Sequence, residues 1–585
     1  MKTKYVFLIG LVAVFASVFG AVPAVLADHG ISRLKVEIAT LDSAVHLHNV
    51  PVLTRSTGQL SATLNTVMWA GRLLFYVRAI PHWGAEYKDT MNLIAGSYDV
   101  AQAAHIGLSD LPKQWVRHGI RSWAAALPAM SADFKALVPW VQRGSEAWSK
   151  VTPADLPHSL SGQWHRIHEV QTVIPLLAKY IPLLASAGPT ISYVLGENHL
   201  QRYLILFENS GELRATGGFI TAYGDLAMNH GKVVGVLAQN IYLLADKIRY
   251  RPLAPPLIHR YLYTWHWHIR DANWSPNVPS SVADIKRFYD SIPHVPKING
   301  MFFVTTWFVD QILADVGPIT VTTGQGSVAI NAQNANYEME YMAEKSGLTE
   351  LKRKAFIASM MKRILGRAFS ARGPVLYKIL NTVWTGLNQK LLILNFDNAE
   401  AQSLVQRLNW AGTIDRQVAG NYLEVVDENL GGHKDNYFIH EHVMLSVDKR
   451  AHSTLETIRI TWINPAPPDG GWLVVPYTAW IRVYLPLGAK LVGIRGQNGP
   501  VEQYVNGTVD KTVIGTHVTI PVKATVNSPP SSGTLTITVS LPLNLPLDQL
   551  TLQKQPGVPV VWYRVQMKDI ARTFALRQDA VLTRL

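Results

Sequence analysis

Apolar residues recur along this chain with three different rhythms, and each rhythm predicts a different architecture. From about residue 28 to 195 the spacing is helical. In LNTVMWAGRLLFYVRAI (residues 64–80), Leu64, Val67, Met68, Gly71 and Phe75 share one helical face. A second helical run, HEVQTVIPLLAKYIPLLASAG, contains prolines that are expected to bend or interrupt it. These helices are expected to pack on one another as a stalk. From 196 to 415 strand-like and helix-like segments alternate. RYLILF reads as a buried strand, GGFITAYGDLAM and GKVVGVLAQN as a hairpin, and SVADIKRFYDSI as a helix capped by Ser280. MFFVTTWFVDQILADVG and ITVTT follow as strand, helix and strand, ahead of the long helix TELKRKAFIASMMKRILGRAF. Alternation of this kind predicts an α/β layered domain. From 416 to 585 the period becomes two, in TLETIRITWI, TVIGTHVTIPV and TLTITVSLPL, with Pro- and Gly-rich turns between. That pattern predicts an antiparallel β-sandwich, so the whole is expected to be an α+β multidomain chain.

Residues 1–27 stand apart. Lys2 and Lys4 precede an unbroken apolar stretch from Tyr5 to Val22, then Pro23 and a small-residue run in which Val25 and Ala27 could serve a signal peptidase. A positive flank, an apolar segment and a small-x-small exit make an export signal. The stretch is also long enough to cross roughly 30 Å of hydrocarbon as a retained anchor. The expectation is an extracytoplasmic protein, secreted or held on the cytoplasmic membrane by this segment.

Composition changes the picture in two ways. Lys and Arg outnumber Asp and Glu by 54 to 41, a net charge of +13, which draws the protein to anionic lipid or envelope polymer. The charge is spread without a basic run or a nucleic-acid module, so no nucleic-acid partner is expected. There is no cysteine, which excludes disulfide scaffolds and thiolate metal sites.

The chain carries no phosphate-cradling GxxxxGK[ST], no HExxH and no GxSxG. Ser446 and Lys449 have SxxK spacing, but within a predicted strand, where the two side chains point to opposite faces. His266 with His268, and His440 with His442, lack a third ligand at motif spacing and read as surface residues. Three polar motifs remain. ENSGELRATGGF places Glu208, Asn209, Glu212 and Arg214 around a turn that ends in Gly217 and Gly218, whose backbone can approach an anion closely. IRDANWSPNVP carries Arg270, Asp271 and Asn273 ahead of a helix, and Arg353 lies on a basic helical arc with Lys352, Arg363 and Arg367. VVDENLGGHKDNY (residues 425–437) stands at the entrance to the period-two region. Each motif admits two readings: a ligand site, or ion pairs and turns that brace the fold.

Taken together, GELRATGGF, RDANWSP and VVDENLGGHKDNY resemble a bacterial family known only as a domain of unknown function, four-zero-one-two. The segment FFVTTWFVDQILADVGPITVTT is also similar to a strand–helix–strand hallmark of the LytR-CpsA-Psr family. The second resemblance implies a LytR-CpsA-Psr-like central domain that binds a polyprenyl pyrophosphate-linked glycan and moves it to a cell-wall acceptor, as a Mg²⁺-dependent glycopolymer phosphotransferase. On that implication Arg214, Arg270 and Arg353 would hold the pyrophosphate, as guanidinium forks suit it. Asn209, Gly217, Gly218 and Asn273 would complete the ligand site. Asp271 would bind Mg²⁺, and Asp271 and Glu212 would be the reacting carboxylates. The chain departs from that family at AQNIYLLADKIRYRP, where only Arg249 and Arg251 stand in for an Arg- and Asp-rich strand. The alternative is a non-catalytic envelope scaffold or glycan-binding protein.

Overall fold

The computed structural model describes residues 36–37, 40, 50–73, 83–117, 123–152, 164–323, 326–346, 350–371, 373–450, 452–467, 469, 471–567 and 570–583. The segment read as a signal or anchor lies outside them. Among the described residues no helix is long and apolar enough to cross a membrane. The chain divides into two compact units, one reaching to Leu200 and including Met228–Lys232, the other holding Gln201–Ala227 and Val233–Leu585.

Among the described residues the first unit holds the helices α1 (Val50–Leu73), α2 (Trp83–Arg117), α3 (Trp123–Ser149) and α4 (Trp164–Val194). Leu60 and Leu64 of α1, Leu93 and Val100 of α2, and Phe134 and Trp148 of α3 share one apolar core, which α4 joins through Ile174 and Ile181. A Cβ at Gly96 would come within 2.5 Å of the Trp148 indole, so glycine is what lets α2 and α3 approach. Of the two effects expected of its prolines, bending or interruption, interruption does not occur: Pro175, Pro182 and Pro189 all lie inside α4. Their seven-residue interval, two helical turns, puts them on one stripe. Pro175 and Pro189 are exposed and Pro182 is half-buried.

In the second unit, a five-stranded sheet runs β3 (Lys232–Asn240), β2 (Phe219–Asn229), β1 (Gln201–Asn209), β4 (Gly300–Thr305), β7 (Leu392–Phe396). β1 and β4 are parallel, Tyr203 opposite Gly300 through Glu208 opposite Thr305, while β4 and β7 are antiparallel. β1 is buried on both faces, which explains why RYLILF is a continuous apolar run rather than an alternating one. Leu204 and Leu206 of β1, with Met301 and Phe303 of β4, pack under α7 (Val278–Asp290) through Ile285 and Phe288. That helix starts earlier than its sequence suggests. Asn277, not Ser280, stands at its N-cap, and Pro279 supplies a preset φ in the first turn. α8 (Thr306–Val316) follows β4 directly, its first turn closed by Thr305, whose hydroxyl accepts from the Phe308 amide. ITVTT forms not a strand of the main sheet but a separate hairpin, β5 (Ile319–Thr323) with β6 (Gly326–Ile330). α9 (Ala335–Glu344), α10 (Glu350–Ser370), α11 (Gly373–Asn388) and α12 (Ala399–Arg407) complete this part.

The period-two region forms two six-stranded sheets. One contains β9 (His440–Lys449), β10 (Thr454–Asn464) and β17 (Val561–Met567), the other β8 (Asn421–Asn429), β11 (Tyr477–Pro486) and β16 (Gln549–Gln553). A single apolar core draws on both, including Leu445, Ile458 and Val565 from the first and Leu423, Ile481 and Leu552 from the second. The sheets are not wholly antiparallel, as the sequence pattern suggested. β16 runs parallel to β8 and β17 parallel to β9. Alternation reports which face a strand buries but is silent on the direction of its neighbour.

Candidate functional site

The parallel pair β1 and β4 organises the site. The chain leaves β1 towards β2 on one side and β4 towards β7 on the other, so their carboxyl ends lie at a switch in strand order. Open α/β sheets bind ligands at such a point. Alternation along β1 then sends Glu208 and Asn209 to opposite faces.

Glu208 turns towards the RDANWSP segment. The Thr216 hydroxyl and the Asn273 amide both donate to Glu208 Oε1, the latter at 2.8 Å. Asn273 Nδ2 also reaches Thr216 Oγ1 at 2.8 Å and the Gly218 carbonyl at 2.7 Å. Glu208 Oε2 is buried without a hydrogen-bond partner. Burial pushes this carboxyl up to about 8, against the opposing pull of those two donors. Gly217 has a φ of +140°, and a Cβ there would meet Glu208 Oε2 at 2.7 Å, so the turn requires glycine twice over.

Asn209 turns the other way, donating to Glu340 of α9 and accepting from the Tyr437 hydroxyl at 2.8 Å and the Gly211 amide at 2.9 Å. Between the two, Glu212 and Arg214 pair at 2.8 Å. The Arg214 guanidinium also donates to the Asn429 carbonyl and lies 3.8 Å from Asp271. Glu212 has Lys434 at 3.5 Å on its other oxygen. Burial raises the Asp271 pKa, while the charges of Arg214 and Arg270 pull it back.

The third motif closes the crevice. The Leu213 amide donates to Asn436 Oδ1 at 3.1 Å, and the Asn436 amide returns a bond to the Gly211 carbonyl at 3.1 Å. Tyr437 lies against Gly211 so closely that a Cβ would sit 2.2 Å from its ring, and meets Trp307 of α8 edge-on with centroids 5.8 Å apart. The three motifs, far apart in sequence, thus form one buried joint between the α/β layer and the two-sheet part.

This arrangement revises the expected open cleft. Asn209, Glu212, Arg214, Gly217, Gly218, Asp271 and Asn273 come together, but all of them are buried. Arg270 stands at the rim, its side chain 24% exposed, its Nε 3.6 Å from Asp271 and its guanidinium over the Tyr242 ring. Arg353 belongs to α10, and its side chain lies outside the described residues; Arg363 and Arg367 of the same helix are exposed. As a magnesium site the carboxylates fit poorly. Glu212 faces Arg214 and Lys434, and Asp271 faces Arg214 and Arg270. A metal would have to displace a cation from each. Among the described residues no three His, Asp or Glu side chains gather as a metal site.

Sequence reasoning missed Glu340, which has no motif around it, and Arg482, which bonds Glu428 and the Trp274 carbonyl from β11. It also left a cationic corner unassembled. The His268 imidazole is pushed down to about 4, first by burial and then by the charges of Arg270, Arg251 and His266. A tight cleft beside it is lined by Tyr250, Arg251, Trp267, His268 and Phe288.

Residues 198–343 match the model of the family described as a protein of unknown function (DUF4012). Two of the three motifs fall inside that match and the third lies beyond it. No curated protein matches the sequence. Among solved structures, the chain is similar to the Lin1025 protein from Listeria innocua, at 13% identity over 39% of this chain and 85% of that one, with a TM-score of 0.22. It is likewise similar to TagV of B. subtilis, at 14% identity over 36% and 81%, with a TM-score of 0.23. At these scores neither likeness carries an argument about fold or activity.

Proposed function

We propose that this chain is a non-catalytic cell-envelope protein that binds the phosphate end of a polyprenyl-linked glycan at the corner formed by Arg251, His268 and Arg270. The observation that carries the reading is the state of the two groups of arginines. Arg214 is buried and fully engaged, whereas Arg270 pairs with Asp271 at the rim with its side chain 24% exposed, and Arg251 lines the cleft beside His268, two residues before Arg270. A fixed guanidinium beside another cation suits a phosphate or pyrophosphate group. Glu212, Arg214 and Asp271 then act as positioning residues, and the resemblance to LytR-CpsA-Psr enzymes supplies the lipid-linked class of ligand. The apolar N-terminal segment would deliver the protein outside the cytoplasm or tether it there.

Transfer is the second reading, and one observation favours it. Glu208 is a carboxyl kept protonated near neutral pH, with a bare oxygen, at the carboxyl end of the parallel pair. It could act as a general acid if the loop bearing Tyr437 withdrew.

The test is binding of a short-chain polyprenyl pyrophosphate to the full chain in detergent, with and without Mg²⁺, by calorimetry. Arg270→Ala is expected to weaken binding at least tenfold with an unchanged unfolding temperature. Absence of binding by the wild type in both conditions overturns the proposal and leaves a scaffold. Release of polyprenyl monophosphate, with the terminal phosphate passed to water or to an added glycan acceptor, lost in Glu208→Gln, would favour the enzyme instead.

A further inference from the structure

Between Asp246 and Asp271 the chain carries Lys247, Arg249, Arg251, Arg260 and Arg270 and not one Asp, Glu, Asn or Gln. The structure makes this segment a braced strap rather than a loose loop. Ala254 donates to the Trp265 carbonyl at 3.0 Å and Trp267 to the Pro252 carbonyl at 2.9 Å, which sets Leu253 opposite His266. α6 (Pro256–Leu262; the short α5 is Ile241–Ala245) fills the bend between these two edges. The base is anchored by the buried Ile248, Ile258 and Ile269, and by Trp267 packed edge-on against Phe288.

The outer side is a different surface. Tyr263 is 89% exposed, Leu253 74% and Trp265 71%, and Arg249, Arg251 and Arg260 of the same segment are exposed as well. Tyr263 is held out by a left-handed backbone, φ 52°, at the end of α6, a strained setting for a bulky residue. Leaving an aliphatic and two aromatic tips in water on a rigid support is unfavourable for a protein with no partner there.

We infer that this strap docks on an anionic phospholipid bilayer, the tips Leu253, Tyr263 and Trp265 entering the interface and the arginines meeting headgroup phosphates. Trp and Tyr settle at the boundary between headgroups and hydrocarbon, and Lys and Arg nearby are drawn to anionic lipid. A neutral glycan surface would need the carboxylates and amides that hold sugar hydroxyls, and the strap has none. A second copy meeting the first by this face would bring like charges together. The contact is independent of the N-terminal apolar segment and goes beyond the phosphate-binding reading. Its arginines Arg249 and Arg260 take no part in the corner described above.

The absence of cysteine makes the test direct, because one introduced cysteine is the only thiol to label. The full chain, carrying an environment-sensitive fluorophore at Tyr263→Cys, is mixed with vesicles containing brominated phosphatidylcholine and phosphatidylglycerol. A label at Val492→Cys, an exposed position on a strand of the two-sheet part, is the reference for insertion through the N-terminus alone. Leu253→Cys provides a second reporter should the first variant fold poorly. The strap label is expected to blue-shift and to be quenched at least fivefold more than the reference. Arg249→Gln with Arg260→Gln should weaken partitioning by roughly fivefold per charge removed. Equal quenching at the two positions, or no dependence on phosphatidylglycerol, overturns the inference. So does a blue shift produced by a soluble anionic polysaccharide without lipid, which would assign the strap to glycan.

Discussion

At the residue scale, the sharpest commitment is Arg482. It is 5% exposed, bonds Glu428 on the neighbouring strand, donates to the Trp274 carbonyl at 2.7 Å and lies 4.8 Å over the Trp274 ring. Glu428 is wholly buried. Breaking a buried ion pair leaves its partner's charge uncompensated, a loss of about 3–5 kcal/mol, whereas replacing both members with apolar residues is often neutral. Arg482→Ala is therefore expected to lower urea-unfolding stability by that amount, and Arg482→Met combined with Glu428→Leu to recover most of it. A single-variant loss under about 1 kcal/mol would mean the pair is hydrated rather than buried. Nothing near Arg482 in sequence announces this role. In TAWIRVYL it sits inside a period-two strand, and the residues it joins lie in other elements. Arg214, by contrast, was legible as important because a charge next to paired glycines at a strand end is unusual. What the sequence did not convey is that its guanidinium faces inward.

At the element scale, the joint depends on one glycine. The turn after β1 meets the Tyr437 loop at Gly211, where a Cβ would stand 2.2 Å from the tyrosine ring. Overpacking of this kind costs roughly 1–3 kcal/mol, because the ring must leave its seat or the loop must shift. Gly211→Ala is expected to lower the unfolding midpoint accordingly and to raise amide exchange at Asn436, whose N–H donates to the Gly211 carbonyl. Unchanged exchange there would show that the loop does not seat as described. Most elements of this region were readable from periodicity, because an unbroken apolar run such as RYLILF needs burial on both faces. The SVADIKRFYDSI helix was readable from its spaced apolar residues, of which Ile285 and Phe288 do reach the core. Periodicity could not reveal that β16 and β17 add to their sheets in parallel, nor that ITVTT leaves the main sheet. Those outcomes depend on how distant strands meet. The prolines of α4 were misleading because helical stability in a protein comes mostly from tertiary packing, and α4 packs through Ile174 and Ile181.

At the scale of the whole molecule, burial of acidic groups sets how stability varies with pH. Glu208, Asp310 and Glu456 each accept from a neutral donor, Thr216 and Asn273, Asn336, and Asn421 respectively. In each the second oxygen is buried without a partner, as a protonated carboxyl would allow. Burial pushes Glu208 up to about 8 and Asp310 and Glu456 up to about 7. A carboxyl whose pKa is raised by folding contributes stability in full below its unfolded value, and that contribution is lost as pH climbs through the folded value. The window of loss therefore opens near pH 4–5 and closes near pH 8. Lys554, pushed down to about 7 by burial, works in the opposite sense, adding stability as pH rises from there towards its unfolded value. Three carboxyls outweigh it across this window. Stability is expected to be higher at pH 5.5 than at pH 8, with Glu208 alone accounting for roughly 3 kcal/mol of the difference. Urea unfolding of the wild type at both values, beside Glu208→Gln, separates the terms. The amide is isosteric and cannot titrate, so the variant should lose less on going to pH 8. If wild type and variant decline in parallel, Glu208 is ionised in the folded protein, and the case for it as a latent acid falls with it.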